Sequence, residues 1–180
     1  MKTTQLQICR MNINRIQTSI VVIALVFIII LLTNVAVYSQ NTKELTQTIQ
    51  SLQKSSTSLD HSKAEIIKSL VYDIQPTVYI TNREVKTFID GKPLVGDLDI
   101  SEISKLYSKK SIFEKVELLK IRIKNPSQAN AKLNIPSLAH LTSLKYVQFV
   151  FSYNTSSTSI DALYVPDARV SVFYTIELPE

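Results

Sequence analysis

The sequence predicts an α/β fold, a short series of strand–helix units closed on its N-terminal side by a helix and a β-hairpin. Three observations predict it. Leu119, Ile121 and Ile123 alternate with Lys120, Arg122 and Lys124, the period-two pattern of a strand with one buried and one wet face. Val147, Phe149 and Phe151 repeat that pattern against Gln148, Val150 and Ser152. The run between them is long enough for a crossover between parallel strands. It carries Leu138, Leu141 and Leu144, whose spacing of three lines one side of a helix or 3-10 segment. Pro136 suits the first helical position, where its missing N–H has no partner to lose.

Weaker copies of the strand flank these two. Val170, Val172 and Tyr174 begin 23 residues after Val147, and Leu98 and Ile100 begin 21 residues before Leu119. Val116-x-x-Leu119-x-Ile121 and Leu138-x-x-Leu141-x-x-Leu144-Lys-Tyr-Val147-x-Phe149 together resemble leucine-rich repeats, in the degenerate form of secreted bacterial proteins, over residues 94–178. Ile, Val and Phe replace several leucines, and Lys124 stands where the family has an Asn, with Asn125 one residue late. The resemblance implies a leucine-rich-repeat-like solenoid whose neighbouring units share a core, and it implies protein–protein contact. An ordinary α/β sandwich with strands at these spacings is the alternative.

The N-terminus sets the compartment. Ile20–Leu32 is an unbroken apolar run of 13 residues, preceded by Lys2, Arg10 and Arg15, with no acidic residue before position 40. Ser39 places a small residue before Gln40. This is the pattern of a signal peptide over 1–39, cleaved between Ser39 and Gln40, and Met11 would begin a more ordinary one. Residues 20–38 contain only Thr33 and Asn34 as polar interruptions, so an uncleaved single-pass anchor is the second reading. Both export the rest of the chain, to the periplasm or the cell exterior. An intact mass from native cells that begins at Met1 or Met11 would exclude cleavage.

Removing 1–39 takes three of the 20 Lys and Arg and none of the 15 Asp and Glu, so the net charge falls from +5 to +2. That balance gives no reason to expect nucleic acid. Cys9 is the only cysteine, so the exported part has no disulfide or thiolate metal site. Gly91 and Gly96, the only glycines, cannot form a phosphate loop. No cofactor is expected.

Beyond the leader, 40–62 reads as a polar leader or stalk, with Leu45, Ile49 and Leu52 as a short amphipathic helix. The single domain is expected over 63–180. A helix follows Ser62, with Glu65 in capping-box position and an end near Tyr72 ahead of Pro76. It is expected to cap the open end of the core. Residues 77–81 and 84–89 read as a hairpin turning at Asn82-Arg83. Another helix is expected over about 100–109, capped by Asp99 with Glu102 at N3. A helical turn around Ile160–Leu163 and a last strand over 169–178 complete the chain.

Asp97, Asp99, Ser101 and Glu102 resemble a calcium loop at first sight, but the central Gly and the Glu at position 12 are missing. His61 and His140 are isolated and read as surface residues. Asp90, Asp97 and Asp161 are scattered carboxylates of the kind a hydrolase would pair, yet no catalytic constellation is visible, so the expected role is not enzymatic. The sequon Asn154-Thr155-Ser156 matters only in a eukaryotic secretory pathway. The best candidate surface is the wet sheet face, with expected rows Lys120–Gln148–Ser171, Arg122–Val150–Phe173 and Lys124–Ser152–Thr175. Lys120, Arg122, Lys124, Gln148, Val150 and Phe173 are the candidate partner-binding residues, a basic edge grading into exposed Val and Phe. Alternatively a helix or the leader covers this face. The expectation is an exported non-catalytic module that binds a protein or other envelope macromolecule. The alternative is a membrane-anchored structural envelope protein, touching the membrane through 20–38.

Overall fold

The computed structural model describes residues 42–179 apart from 83, 90 and 109. The leader, Ser39, Gln40, Arg83 and Asp90 lie outside the described residues. Among the described residues the fold is mixed α/β, built on a seven-stranded, mostly parallel sheet and four α-helices. In chain order the elements are β1 (Lys43–Glu44), α1 (Leu45–Gln53), α2 (Ser58–Tyr72), β2 (Thr77–Ile80), β3 (Val85–Phe88), β4 (Val95–Asp99), α3 (Ser104–Ser108), β5 (Leu118–Ile123), β6 (Leu133–Asn134), β7 (Tyr146–Phe151), α4 (Ser157–Asp161), β8 (Tyr164–Val165) and β9 (Ser171–Ile176). Short 3-10 turns occupy much of the remainder.

The sheet order is β1-β9-β7-β5-β4-β2-β3. From β2 through β4, β5, β7 and β9, each strand lies parallel to its neighbour and in chain order. Among the described residues only the β2–β3 hairpin is antiparallel. The small strands β6 and β8 pair parallel in a separate ladder, one from each of the last two crossovers. One sheet face packs Leu98, Leu119, Ile121, Val147, Phe149 and Phe151 against Leu133, Leu138, Leu141, Ile160 and Leu163 of those crossovers. The expected leucine row therefore does bury itself, but as a 3-10 turn over Pro136–Leu138 followed by further turns. The helical turn near Ile160 forms earlier, as α4, with Ser156 accepting from the Ser159 N–H.

The β5–β7 register is the expected one, Leu119 opposite Val147. The flanking registers each differ by two residues. Leu98 lies opposite Ile121, not Leu119, because Gly96 holds the place opposite Leu119. A glycine leaves no mark in a hydrophobic pattern, and a side chain here would push on its neighbour: a Cβ at Gly96 would lie 2.8 Å from Leu119 Cδ2, which would have to shift. Gly96→Ala is accordingly expected to cost about 1–3 kcal/mol, read as a lower urea midpoint. At the other side, Val170 donates to Asp167 O in a turn, so pairing starts at Ser171 and Val147 faces Val172.

The N-terminal helices correct two expectations. Residues from 43 onward are not a stalk: Leu45 and Ile49 of α1 are buried with Ile67 and Leu70 of α2 against Val95, Leu118, Tyr146 and Phe173. The helices lie across the second sheet face and do not cap the end of the stack, where the β2–β3 hairpin sits. The apolar stripe of α1, too narrow for an independent helix, finds its partner in these sheet residues. α2 starts one turn before Ser62, because Thr57 accepts from the Asp60 N–H and leaves Glu65 to pair with Lys68. Asp99 makes no cap bond to the turn that follows it; Lys124 takes its carboxylate.

Burial holds the Tyr146 and Tyr164 phenols above their usual value of 10.0. The folded state then keeps protons that the unfolded chain releases. Their contribution to stability is complete below pH 10 and is lost as pH rises through the folded values. Urea midpoints are expected to fall as pH rises above about 10, with phenolate absorbance lagging behind that of the unfolded chain.

Candidate functional site

The predicted residues do share one face, the one opposite the main core, but α1 and α2 already occupy its first half. Phe173 is fully buried beside Tyr146, their ring centroids 6.3 Å apart, so it is a core residue and no exposed anchor. Gln148 and Val150 are buried as well. The expected rows shift accordingly: Asp97, Lys120, Gln148 and Phe173 form one, and Asp99, Arg122, Val150 and Thr175 the next. Ser171 lies instead in the row of Leu118 and Tyr146.

The basic edge is also largely neutralised. Arg122 Nε and Nη2 donate to the two oxygens of Asp97, each at 2.8 Å, and Nη1 lies 3.7 Å from Glu177. Lys124 Nζ donates to Asp99 Oδ2 at 2.6 Å. Arg122 of β5 thus reaches diagonally to Asp97 of β4, two residues behind its register partner Asp99, and Lys124, just past β5, reaches Asp99. Hydrogen bonding to Asp97 raises the Arg122 pKa further, against the cost of desolvation. Lys120 turns under the helices and donates to Val71 O at 3.0 Å; burial lowers its pKa, with Asp97 opposing and Arg122 adding to the fall. Gln148 Nε2 donates to Thr175 at 2.8 Å, while Gln148 Oε1 and Asp99 Oδ1 are buried without a hydrogen-bond partner among the described residues.

What stays open is the half of the face at the C-terminal ends of the strands. Tyr79, Arg122, Lys124 and Glu177 are the exposed members, with the Tyr79 phenol close enough to act electrostatically on Arg122. Beside them a polar cleft of about 370 Å³ is lined by Thr81, Asn82, Asp99, Ser101, Glu102 and Lys124. The strip offers an aromatic ring, mixed charge and a notch lined by polar side chains. Tyr79 was missed because it lies in the hairpin, outside the strands read as repeats, and Glu177 because it lies past the last row drawn across them. The diagonal carboxylates were visible in the sequence, but their pairing needed the register.

The other candidates separate in space. Asp97 lies on the helix-covered face, whereas Asp161 accepts from the Thr42 N–H at 3.1 Å in the layer of α4 and β8 on the opposite side. The carboxylates Asp97, Asp99 and Glu102 point to Arg122, Lys124 and Lys105. Among the described residues no cluster of three His, Cys, Asp or Glu is arranged to hold a metal. His61 and His140 each bond a backbone carbonyl, of Ser55 and Leu106. No helix among the described residues is long and apolar enough to cross a membrane; residues 20–38 lie outside them. No family model, curated protein or solved structure matches the chain.

Proposed function

We propose that the protein is an exported, non-catalytic binding module of the cell envelope, a short leucine-rich-repeat-like stack acting in the periplasm or outside the cell. The observation that carries this reading is the mixed-charge strip of Tyr79, Arg122, Lys124 and Glu177 beside its polar cleft, left uncovered on a sheet whose parallel strands follow chain order. Stacked strands of this kind present an extended surface set by side chains at fixed rows. The partner is a protein or another envelope macromolecule that meets carboxylates and cations in alternation; neither nucleic acid nor a cofactor is called for.

A photo-crosslinking residue at Tyr79 or Lys124 of the full chain, in cells that make it, tests the module. A discrete adduct from both positions, absent from the exposed control Lys132, is expected. The same adducts from all three positions, or none from any, would sink the reading.

The alternative is a membrane-anchored structural protein with an external domain. It is favoured by Thr42, which is buried and shares a 2.8 Å hydrogen bond with Tyr164, so the described domain extends to within four residues of the apolar stretch 20–38.

A further inference from the structure

The edge of the sheet formed by the N-terminal ends of the parallel strands carries an apolar corner. β3 runs antiparallel to β2, so its last residue, Phe88, lies opposite Thr77, the first residue of β2. Ile89 follows Phe88, and Ile74 lies in the connection leading into Thr77. All three therefore sit at this one edge. Ile74 is 81% exposed, Phe88 57% and Ile89 45%. Tyr72, at the end of α2 and on the same connection, is 65% exposed. Ile89 is a β-branched residue at φ 72, a conformation such residues seldom adopt. Lys92 and Lys115, on the loops before β4 and β5, make no ion pair among the described residues.

The same edge receives the chain. β1 is parallel to β9, with Lys43 opposite Phe173, so the backbone arrives at Lys43 from the side of the strands' N-terminal ends. The apolar stretch 20–38 ends four residues before Thr42, a gap of at most about 14 Å when fully extended. Thr42 is held by Asp161 and Tyr164, so the described domain extends to within four residues of that stretch.

We propose that Ile74, Phe88 and Ile89 rest in the outer surface of a lipid bilayer, as a second attachment that fixes the domain edge-down on the membrane. This rests on the anchored alternative above and extends it. An exposed apolar corner whose rim carries Lys92 and Lys115 together with Asp73 and Glu114 fits the boundary between headgroups and acyl chains. In this orientation the strip of Tyr79, Arg122, Lys124 and Glu177, at or beyond the middle of the strands, faces away from the lipid.

The chain contains no tryptophan, so single reporters are clean. Full-length Ile74→Trp, Phe88→Trp and Leu178→Trp variants are reconstituted in phosphatidylethanolamine–phosphatidylglycerol vesicles with brominated acyl chains. Leu178 is exposed and follows β9, at the opposite edge. About half of the emission is expected to be lost at positions 74 and 88, and little at 178. Alkaline extraction of the same vesicles reports the anchor separately. Chains that resist extraction but show equal quenching at all three positions overturn the corner and leave the anchor standing. Chains that wash off with no quenching overturn both. Quenching at 74 and 88 on chains that wash off keeps the corner and removes the anchor. A concentration-dependent blue shift at 74 and 88 without bromolipid quenching would assign the corner to a second copy of the chain, which also overturns the proposal.

Discussion

Replacing Phe173 with alanine is expected to cost about 3–5 kcal/mol of folding stability. The ring is fully buried where α1 meets the sheet, among Leu45, Ile49, Leu118 and Tyr146. Its removal leaves a cavity between α1 and the sheet that the surrounding side chains fill only in part. A domain of this size has about 5–15 kcal/mol in total, and the loss would be plain in urea or thermal unfolding. α1 should also loosen first, seen as faster amide exchange at Ile49 than in β5 or β7. A Phe173→Ala protein of unchanged stability would mean that α1 does not pack on this face, and would restore the ring as an exposed anchor.

Arg122→Gln is the second large effect, about 2–4 kcal/mol, and it is asymmetric. The Asp97 side chain is 9% exposed and the Arg122 side chain 43%. Removing the arginine strands a buried carboxylate, whereas Asp97→Asn leaves a half-exposed guanidinium that water and Glu177 can serve. The aspartate variant is therefore expected to lose about 1–2 kcal/mol. Removing both charges, Asp97→Asn with Arg122→Gln, is expected to recover most of the arginine variant's loss in a double-mutant cycle. Additive losses would show that the two side chains do not pair in solution. The consequence for binding experiments is direct: loss of capture by an Arg122 variant reports on a contact only after its folding has been verified.

Much of the fold was legible because alternation survives in this sequence where burial is one-sided. Leu119/Ile121/Ile123 and Val147/Phe149/Phe151 identify parallel neighbours and even their register, since each presents an unbroken apolar face. Legibility stops where a residue's role leaves no hydrophobic mark. Gly96 occupies a core position with no side chain, and Val170 is apolar but folds into a turn; each moves its strand by two residues. The polar stretch 40–62 looked like a tether because α1 has only a thin apolar stripe, which is sufficient when a sheet face waits for it.

For the candidate site the same division holds. The sequence by itself determined that Lys120, Arg122, Lys124, Gln148, Val150 and Phe173 do not face the main core, because period two leaves no other choice. It also placed an unbroken apolar run at 20–32. Only the tertiary structure decided which part of that face is covered, which carboxylate meets which cation, and that Phe173 belongs to a second core. Those outcomes depend on two helices folding back across the sheet and on diagonal reach between strands. Both are contacts between residues far apart in the chain, and no local pattern encodes them.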